Sequence, residues 1–536
     1  MTTRTTKRPS FLSGVSVLTL SAVVVKVIGL LYRIPMLDRL GTEGMGYFNT
    51  AYELYALFCA LSTAGLPVAM SVLISAREAE GRRAEGRRIF GVSLALFAAL
   101  GIAGTALLFG LSSSFASLLG SPAAALCMRA ISPTVLLICL SSAVRGYFQG
   151  HRNMLPTALS QVIEAAGKLI LGLLFAAYAR TQGMNLPTTA AFAVMGLTVG
   201  TALSVLYLLV QKHLSDRRVA AVLPVADAAA PPQRKRDILR TLLSTAIPVT
   251  LSAGVISLTK CVDLALILRR LQAVGYTAAE ANSLYGCYST LAVPVFNILP
   301  SLTTSIALSA VPALSAALQK GKDGQAELRR TATSALELTL TVAIPAALGI
   351  AVFSEEILSL LFAGQRDAVA QAAPWLSCLG LSVPAACLIT VTGAMLQAAG
   401  KANRPIVSML LGVGVKTVLC YVWLGADGWG MAGAPLSSLA CDTVIVAVNL
   451  LFVFRHAPVM LPTARRTVFM LAWPTGLSVA AIAAVLGLRR LMGWAAVTPL
   501  HTLATVASVA CLYFAGLLLS RLLYKRPLNV NPNPTT

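Results

Sequence analysis

Residues 11–37, FLSGVSVLTLSAVVVKVIGLLYRIPML, and residues 242–268, LLSTAIPVTLSAGVISLTKCVDLALIL, are near-copies of one apolar helix set 231 positions apart without a gap. Leu12, Ser13, Thr19, Leu20, Ser21, Ala22, Val24, Leu37, Arg39 and Leu40 recur as Leu243, Ser244, Thr250, Leu251, Ser252, Ala253, Val255, Leu268, Arg270 and Leu271. Each copy exceeds the roughly 20 apolar residues that a helix needs to cross a bilayer. Each also carries a lysine inside the apolar run, Lys26 in the first and Lys260 in the second. Two bundles that each open on a cationic membrane helix point to a transporter for something anionic.

The rest of the chain has the same character. Of its 536 residues 57% are hydrophobic and only 12% charged, with a mean hydropathy of +0.78. A soluble domain carries about a quarter charged residues. A membrane barrel would show short alternating segments, and the apolar runs here do not alternate. The expected fold is therefore an all-α polytopic membrane protein. Its fourteen spans fall near 11–37, 46–76, 89–116, 126–149, 155–179, 187–212, 241–268, 282–318, 331–353, 372–399, 405–425, 430–454, 467–488 and 498–520. The first lacks the short core and small-residue cleavage site of a signal peptide, so it is read as retained. The ten cysteines lie in or beside apolar spans and form no CxxC pair. That pattern favours neither a disulfide framework nor a metal site.

The net charge of +22 is a topology signal. With the N-terminus placed inside, inner loops and tails hold 28 of the 42 Lys and Arg, and outer loops hold seven: Arg39, Arg180, Arg269, Arg270, Arg366, Arg489 and Arg490. This is the positive-inside bias of a multi-pass protein with both termini in the cytoplasm. The basic loops are expected to attract anionic membrane lipids, and nucleic acid is not an expected partner.

The longest polar connection, 213–240, reads as a cytoplasmic linker between an N-lobe at 1–212 (spans one to six) and a C-lobe at 241–456 (spans seven to twelve). Spans thirteen and fourteen occupy 457–526, and the Asn/Pro-rich tail 527–536 reads as disordered. The duplication extends beyond the first helix. Gln149-Gly150-His151-Arg152-Asn153-Met154-Leu155-Pro156 precedes Lys168 much as Gln397-Ala398-Ala399-Gly400-Lys401-Ala402-Asn403-Arg404-Pro405 precedes Lys416. Six helices per half make the lobes parallel repeats, with a substrate site expected between them near mid-membrane.

Charges inside spans single out the working residues, because each central Lys, Arg or Asp costs about 2.5–3.5 kcal/mol to insert. The substrate-binding candidates are Lys26, Arg33, Arg145, Lys260 and Lys416; candidates for coupling or ion pairing are Glu53, Glu164, Lys168, Asp263 and Asp442. Glu164 and Lys168 stand at i,i+4 in the favourable order and are expected to pair. Lys26 and Arg33, seven residues apart, share one helix face about 10 Å apart along the axis. Pro294, Pro300 and Pro312 in one span mark a candidate bending element. The four histidines, His151, His213, His456 and His501, are scattered, with no nucleophile–base or metal-ligand spacing. No cofactor, metal or enzymatic activity is expected.

Two stretches carry a family resemblance. One is Arg33-Ile34-Pro35 with Leu40-Gly41-Thr42-Glu43-Gly44-Met45-Gly46-Tyr47, Ala51-Tyr52 and Ala64-Gly65-Leu66-Pro67-Val68-Ala69. The other is Arg145-Gly146-Tyr147-Phe148-Gln149-Gly150 with Met154, Pro156-Thr157-Ala158 and Ser160-Gln161-Val162 to Glu164. Here the chain resembles the stage V sporulation protein B family, polysaccharide-type flippases of the MATE-like superfamily related to the lipid II flippases. The resemblance implies alternating-access export of an undecaprenyl-pyrophosphate-linked oligosaccharide or peptidoglycan precursor across the cytoplasmic membrane, for cell wall or spore cortex. It also implies a basic pair on the first helix, matched by Lys26 and Arg33 and followed by Arg39-Leu40-Gly41. Gram-negative relatives add an arginine on the second helix; between Tyr47 and Ser75 there is none. The alternative is a MATE-type cation-coupled multidrug antiporter, in which a coupling cation is a partner.

Overall fold

A computed structural model describes residues 11–222, 234–426, 429–491 and 499–523. The centre of the expected linker and the expected disordered tail lie outside them. The described residues are almost wholly helical and fall into two compact units, one of residues 1–290 with 424–431, the other of 291–423 with 432–536. The first unit contains α1 (Phe11–Thr63), α2 (Leu66–Ala79), α3 (Arg83–Gly110), α4 (Ser112–Leu118), α5 (Ala125–Gly150), α6 (Leu155–Thr181), α7 (Leu186–Val222), α8 (Lys235–Ala273) and α9 (Ala278–Cys287). The linker is shorter than its polar composition indicates, because α7 runs on to Val222 and α8 begins at Lys235. The unit boundary lies at Thr290, two helices past the linker. The duplicated helix α8 packs on α1 within the first unit.

Thirteen segments among the described residues are long and apolar enough to cross a membrane, and the first of them, Leu20–Ala79, spans 60 residues. A straight helix of that length would measure about 90 Å, three times the hydrocarbon core. It is not straight. Gly41 has φ 64° and ψ −178°, a conformation that breaks the helix and that only glycine adopts without strain. Tyr32 and Phe48 would lie about 24 Å apart along a continuous helix, yet their ring centroids are 5.9 Å apart. The chain therefore folds back at Gly41, so the first segment is two arms and not one straight span.

Glycine contacts hold the first unit together. On α6 and α7, Gly167 faces Gly200 and Gly172 faces Gly196, so backbones meet where any Cβ would intrude. Gly196 and Gly200 form the small-xxx-small spacing of close membrane-helix crossings. Gly46 on α1 and Gly286 on α9 interlock in the same way: a Cβ on Gly286 would strike the Thr42 carbonyl, and one on Gly46 the Asn282 carbonyl. The start of α9 is fixed by a capping box, with Glu280 N donating to Thr277 Oγ1 and Thr277 N donating to Glu280 Oε2.

The second unit comprises α10 (Val293–Gln319), α11 (Gln325–Val352), α12 (Ser354–Leu361), α13 (Arg366–Ala398), α14 (Arg404–Leu424), α15 (Gly433–His456), α16 (Ala464–Leu491) and α17 (Pro499–Leu523). A π-helical turn, Tyr288–Ala292, leads into α10, where Pro294, Pro300 and Pro312 follow. α13 is its central helix, packing on α10, α11, α12 and α15. Spans thirteen and fourteen attach to α11 and α12 through named contacts: Arg466 pairs with Glu337, Arg489 with Glu356, and Tyr513 Oη donates to the Thr341 carbonyl.

The two repeated loops share one geometry. After α5, Asn153 N donates to Phe148 O with Arg152 at φ 58°; after α13, Lys401 N donates to Leu396 O with Gly400 at φ 74°. Both are Schellman closures, in which a left-handed residue lets the chain satisfy the last helix carbonyls. The shift of 248 residues between these loops also carries Lys168 onto Lys416.

Substituting Gly200→Leu should lower the melting midpoint of detergent-solubilised protein, because overpacking at a backbone contact costs about 1–3 kcal/mol. Gly91→Ala, at a glycine with open space around it, should leave the midpoint unchanged or slightly raised. Equal responses from the two would contradict the role given to the α6–α7 glycines.

Candidate functional site

The fold-back at Gly41 places Tyr32 from the first arm of α1 beside Phe48 and Tyr52 from the second, with Phe48 and Tyr52 stacked at 6.4 Å. Into this group α6 sends Lys168. Its Nζ lies 5.0 Å from the Tyr32 ring centroid, 5.5 Å from Phe48 and 4.5 Å from Tyr52. Each approach is within the range in which a ring quadrupole stabilises a cation, worth from about 0.5 to 2 kcal/mol as water is excluded. The Tyr32 hydroxyl is buried and lacks a hydrogen-bond partner among the described residues.

Lys168 does not pair with Glu164, as the i,i+4 spacing had indicated. Glu164 is taken by α5: Arg145 Nη2 lies 2.8 Å from Glu164 Oε2, while Arg145 Nε donates to Ser160 Oγ and Nη2 to Ser204 Oγ. Ser204 Oγ in turn donates to the Ser160 carbonyl. The guanidinium approaches in its own plane with several donors, a geometry that an ammonium cannot match. Arg145 is thus the centre of a local ion-pair and serine network joining α5, α6 and α7.

Arg33 extends toward the end of α9, where its Nη1 donates to the Ser289 carbonyl at 2.8 Å. Asn49 on the second arm donates to the hydroxyls of both Ser289 and Thr290, and Thr42 Oγ1 lies 2.6 Å from Ser283 Oγ. Lys168, Tyr52 and Glu53 are all within electrostatic reach of Arg33. Glu53, half-buried, also neighbours Lys260 and Asp263 of α8.

The other expected residues are spread more widely. Lys26 is exposed beside Val23, Val24 and Val27, whereas Arg33, on the same helix face, is half-buried. Lys260 is also exposed. Lys416 on α14 and Asp442 on α15 are half-buried in the second unit. Arg129 bonds Ser112 and Ser113 near its helix end. Sequence reasoning missed Tyr32, Phe48, Tyr52, Asn49 and Ser289. The aromatic spacing at 48, 52 and 55 was readable, but nothing local announced that a lysine more than a hundred positions later would enter it.

The cluster holds a cation against three rings, of which Tyr32 and Phe48 are buried and Tyr52 half-buried. Comparison with known proteins gives this geometry a context. The polysaccharide biosynthesis protein family model matches residues 11–318, and the MatE model matches 289–422. The chain is 25% identical over 537 residues to stage V sporulation protein B of Bacillus subtilis (strain 168), covering 98% of each. It is 27% identical over 425 residues to the lipid II flippase MurJ of the same organism, covering 76% of each. Among solved structures, a lipid II flippase MurJ in an inward closed conformation superposes with a TM-score of 0.70 at 13% identity, over 94% of this chain and 99% of that one. An inward-facing multidrug resistance MATE transporter of the MOP superfamily gives 0.63 at 16% identity, over 83% and 98%. The chain belongs to the polysaccharide biosynthesis protein family, and its fold is that shared by the flippase and MATE structures.

Removing one partner of the half-buried Arg145–Glu164 pair should destabilise the protein by about 3–5 kcal/mol, whereas Arg145→Met with Glu164→Met together should lie near wild type. Thermal melting of the two single variants and the double variant measures this. A double variant as unstable as the sum of the singles would argue that the serine network, and not the charge pair, holds the three helices.

Proposed function

We propose that this membrane protein is a flippase for a lipid-linked oligosaccharide or peptidoglycan precursor, moving the pyrophosphate-bearing headgroup across the cytoplasmic membrane by alternating access. Both relatives named above align over most of the chain, and one is a lipid II flippase. The observation that carries the reading is Lys168 placed over Tyr52 on the second arm of α1, within electrostatic reach of Arg33 on the first. That arm lacks the arginine that the resemblance led one to expect, and Lys168 brings a cation to it from α6, over Phe48 and Tyr52. The nearest carboxylate on α6, Glu164, is engaged by Arg145. An arriving pyrophosphate therefore meets two cations, and of the rings beneath Lys168 the half-buried Tyr52 is the one open to a sugar.

Energetics support export without a nucleotide. A pyrophosphate carries about two negative charges, and 100 mV is worth about 2.3 kcal/mol per charge. An inside-negative potential favours outward headgroup movement by roughly 4–5 kcal/mol. Glu53, among Lys260, Arg33 and Asp263, is the acid best placed to couple a cation to the cycle. With both termini cytoplasmic, the basic loops face the anionic inner surface. Spore cortex and vegetative wall precursors share the recognised chemistry.

The match of the MatE model to residues 289–422 favours a second reading, a cation-coupled multidrug antiporter. Such a protein binds organic cations on aromatic rings. Here the ring cluster is already occupied by the protein's own ammonium, Lys168, which weighs against that reading.

Reconstituted protein with Arg33→Gln or Lys168→Gln should translocate an isoprenyl-pyrophosphate-linked sugar about tenfold more slowly, the loss of one charge-assisted contact. The double variant should be slower again. Unchanged translocation in the double variant, at equal protein level and fold, sinks the anion-site proposal. Faster uptake of a cationic dye than of lipid would select the antiporter.

A further inference from the structure

The break at Gly41 leaves a second basic feature, away from the Lys168 site. Where the first arm of α1 ends, a crevice of about 590 Å³ opens between α1 and α6, lined by Pro35, Asp38, Arg39, Ala177, Arg180 and Thr181. That volume lies in the range of small-ligand pockets. Arg180 Nη1 sits 3.4 Å from the carbonyl oxygens of both Asp38 and Arg39, groups left over by the end of the helix. A guanidinium has five N–H donors, and this contact engages one nitrogen of the fork. The Arg39 guanidinium, unlike its carbonyl, has no hydrogen-bond or ion-pair partner among the described residues. Asp38 contributes the single carboxylate on the rim, so the three charged side chains sum to one positive charge.

The walls below the crevice are apolar. One turn along α1 from Pro35 is Leu31 and a further turn brings Val27; one turn along α6 from Ala177 is Leu174 and the next Ile170. All four are about half exposed, at 52%, 51%, 57% and 56%. Gly172 lies against the Tyr32 ring at this level, so the two helices pack side by side. From Ile170 to Thr181 the α6 stretch measures about 16 Å, close to half of a 30 Å hydrocarbon core. Tyr178, 54% exposed and 6.3 Å from the Phe192 ring, flanks the crevice where a membrane-interface aromatic belongs.

A basic crevice with exposed apolar side chains following it on both of its helices over the depth of one leaflet matches an amphiphile with one phosphate and extended chains. We propose that this crevice is a binding site for an anionic phospholipid of the membrane, its phosphate held by Arg39 and Arg180 and one acyl chain lying along Leu31, Val27, Leu174 and Ile170. Net positive charge decides for an anionic over a zwitterionic headgroup. The site differs from the proposed transport site, because Arg33 turns away from this crevice to Ser289. On the topology expected from loop charges, it lies in the outer leaflet, where basic residues are otherwise sparse.

Native mass spectrometry of the full-length protein, exchanged between detergent micelles doped with phosphatidylglycerol or phosphatidylcholine of identical chains, tests this. Wild type should retain phosphatidylglycerol about tenfold over phosphatidylcholine. Arg39→Gln with Arg180→Gln should bring the ratio near one. Because Arg180 also caps α1, Ala177→Trp serves as a second variant, filling the crevice with both arginines left in place, and should likewise abolish the preference. Arg33→Gln should keep it. Retention unchanged in both crevice variants overturns the proposal. So does displacement of phosphatidylglycerol by an isoprenyl pyrophosphate lipid at equal concentration, which would assign the crevice to the transported cargo instead.

Discussion

Charge carried into hydrocarbon must meet a counter-charge, a polarisable face, a hydrogen-bond acceptor or water, and this chain is built around that requirement. Its first unit meets it in different ways within one set of helices. Arg145 has a carboxylate and two serine hydroxyls. Lys168 has three aromatic rings. Arg33 has a backbone carbonyl at the end of α9. Lys26 and Lys260 remain exposed. Only the first of these arrangements is a closed ion pair. The others leave positive charge available, which separates a structural charge from one that can receive an anion.

The arrangement depends on a backbone event. Gly41 turns the first helix back on itself, so that side chains from its two arms share one cluster. The same reversal leaves carbonyls at Asp38 and Arg39 for Arg180 to cap. A residue with a Cβ would be strained at φ 64°, and the cluster around Lys168 would lose its geometry with the turn. The glycines at 46, 286, 196 and 200 act differently, through closeness of approach rather than dihedral freedom. Gly46 and Gly286 let polar contacts such as Thr42–Ser283 and Asn49–Ser289 form between backbones almost touching.

The duplication is visible in local chemistry more than in composition. The loops after α5 and α13 close with the same pair of backbone hydrogen bonds, though one uses arginine and the other glycine at the left-handed position. Arg152 tolerates a conformation that glycine adopts freely, so the loop geometry persists where the residue does not. Lys168 and Lys416 occupy equivalent places after these loops. Their surroundings have diverged, since Arg145 and Glu164 correspond to Gly393 and Gly412 in the second copy.

The sequence by itself determined the class of fold, the positions of nearly every membrane helix and the residues whose charge needs explaining. Hydropathy over twenty residues is a sum of local transfer energies and does not depend on tertiary neighbours. The family followed from extended motifs of the same local kind. Tertiary structure decided which of those charges are neutralised. Glu164 stands four residues from Lys168 and yet bonds Arg145, nineteen positions away, because a planar guanidinium from α5 enters the site with serine partners already in place. Lys168 is then left to rings supplied by both arms of a helix that only a left-handed glycine could fold together. Pair energies between charges depend on distance and local dielectric, and both are set by packing between segments far apart in the chain.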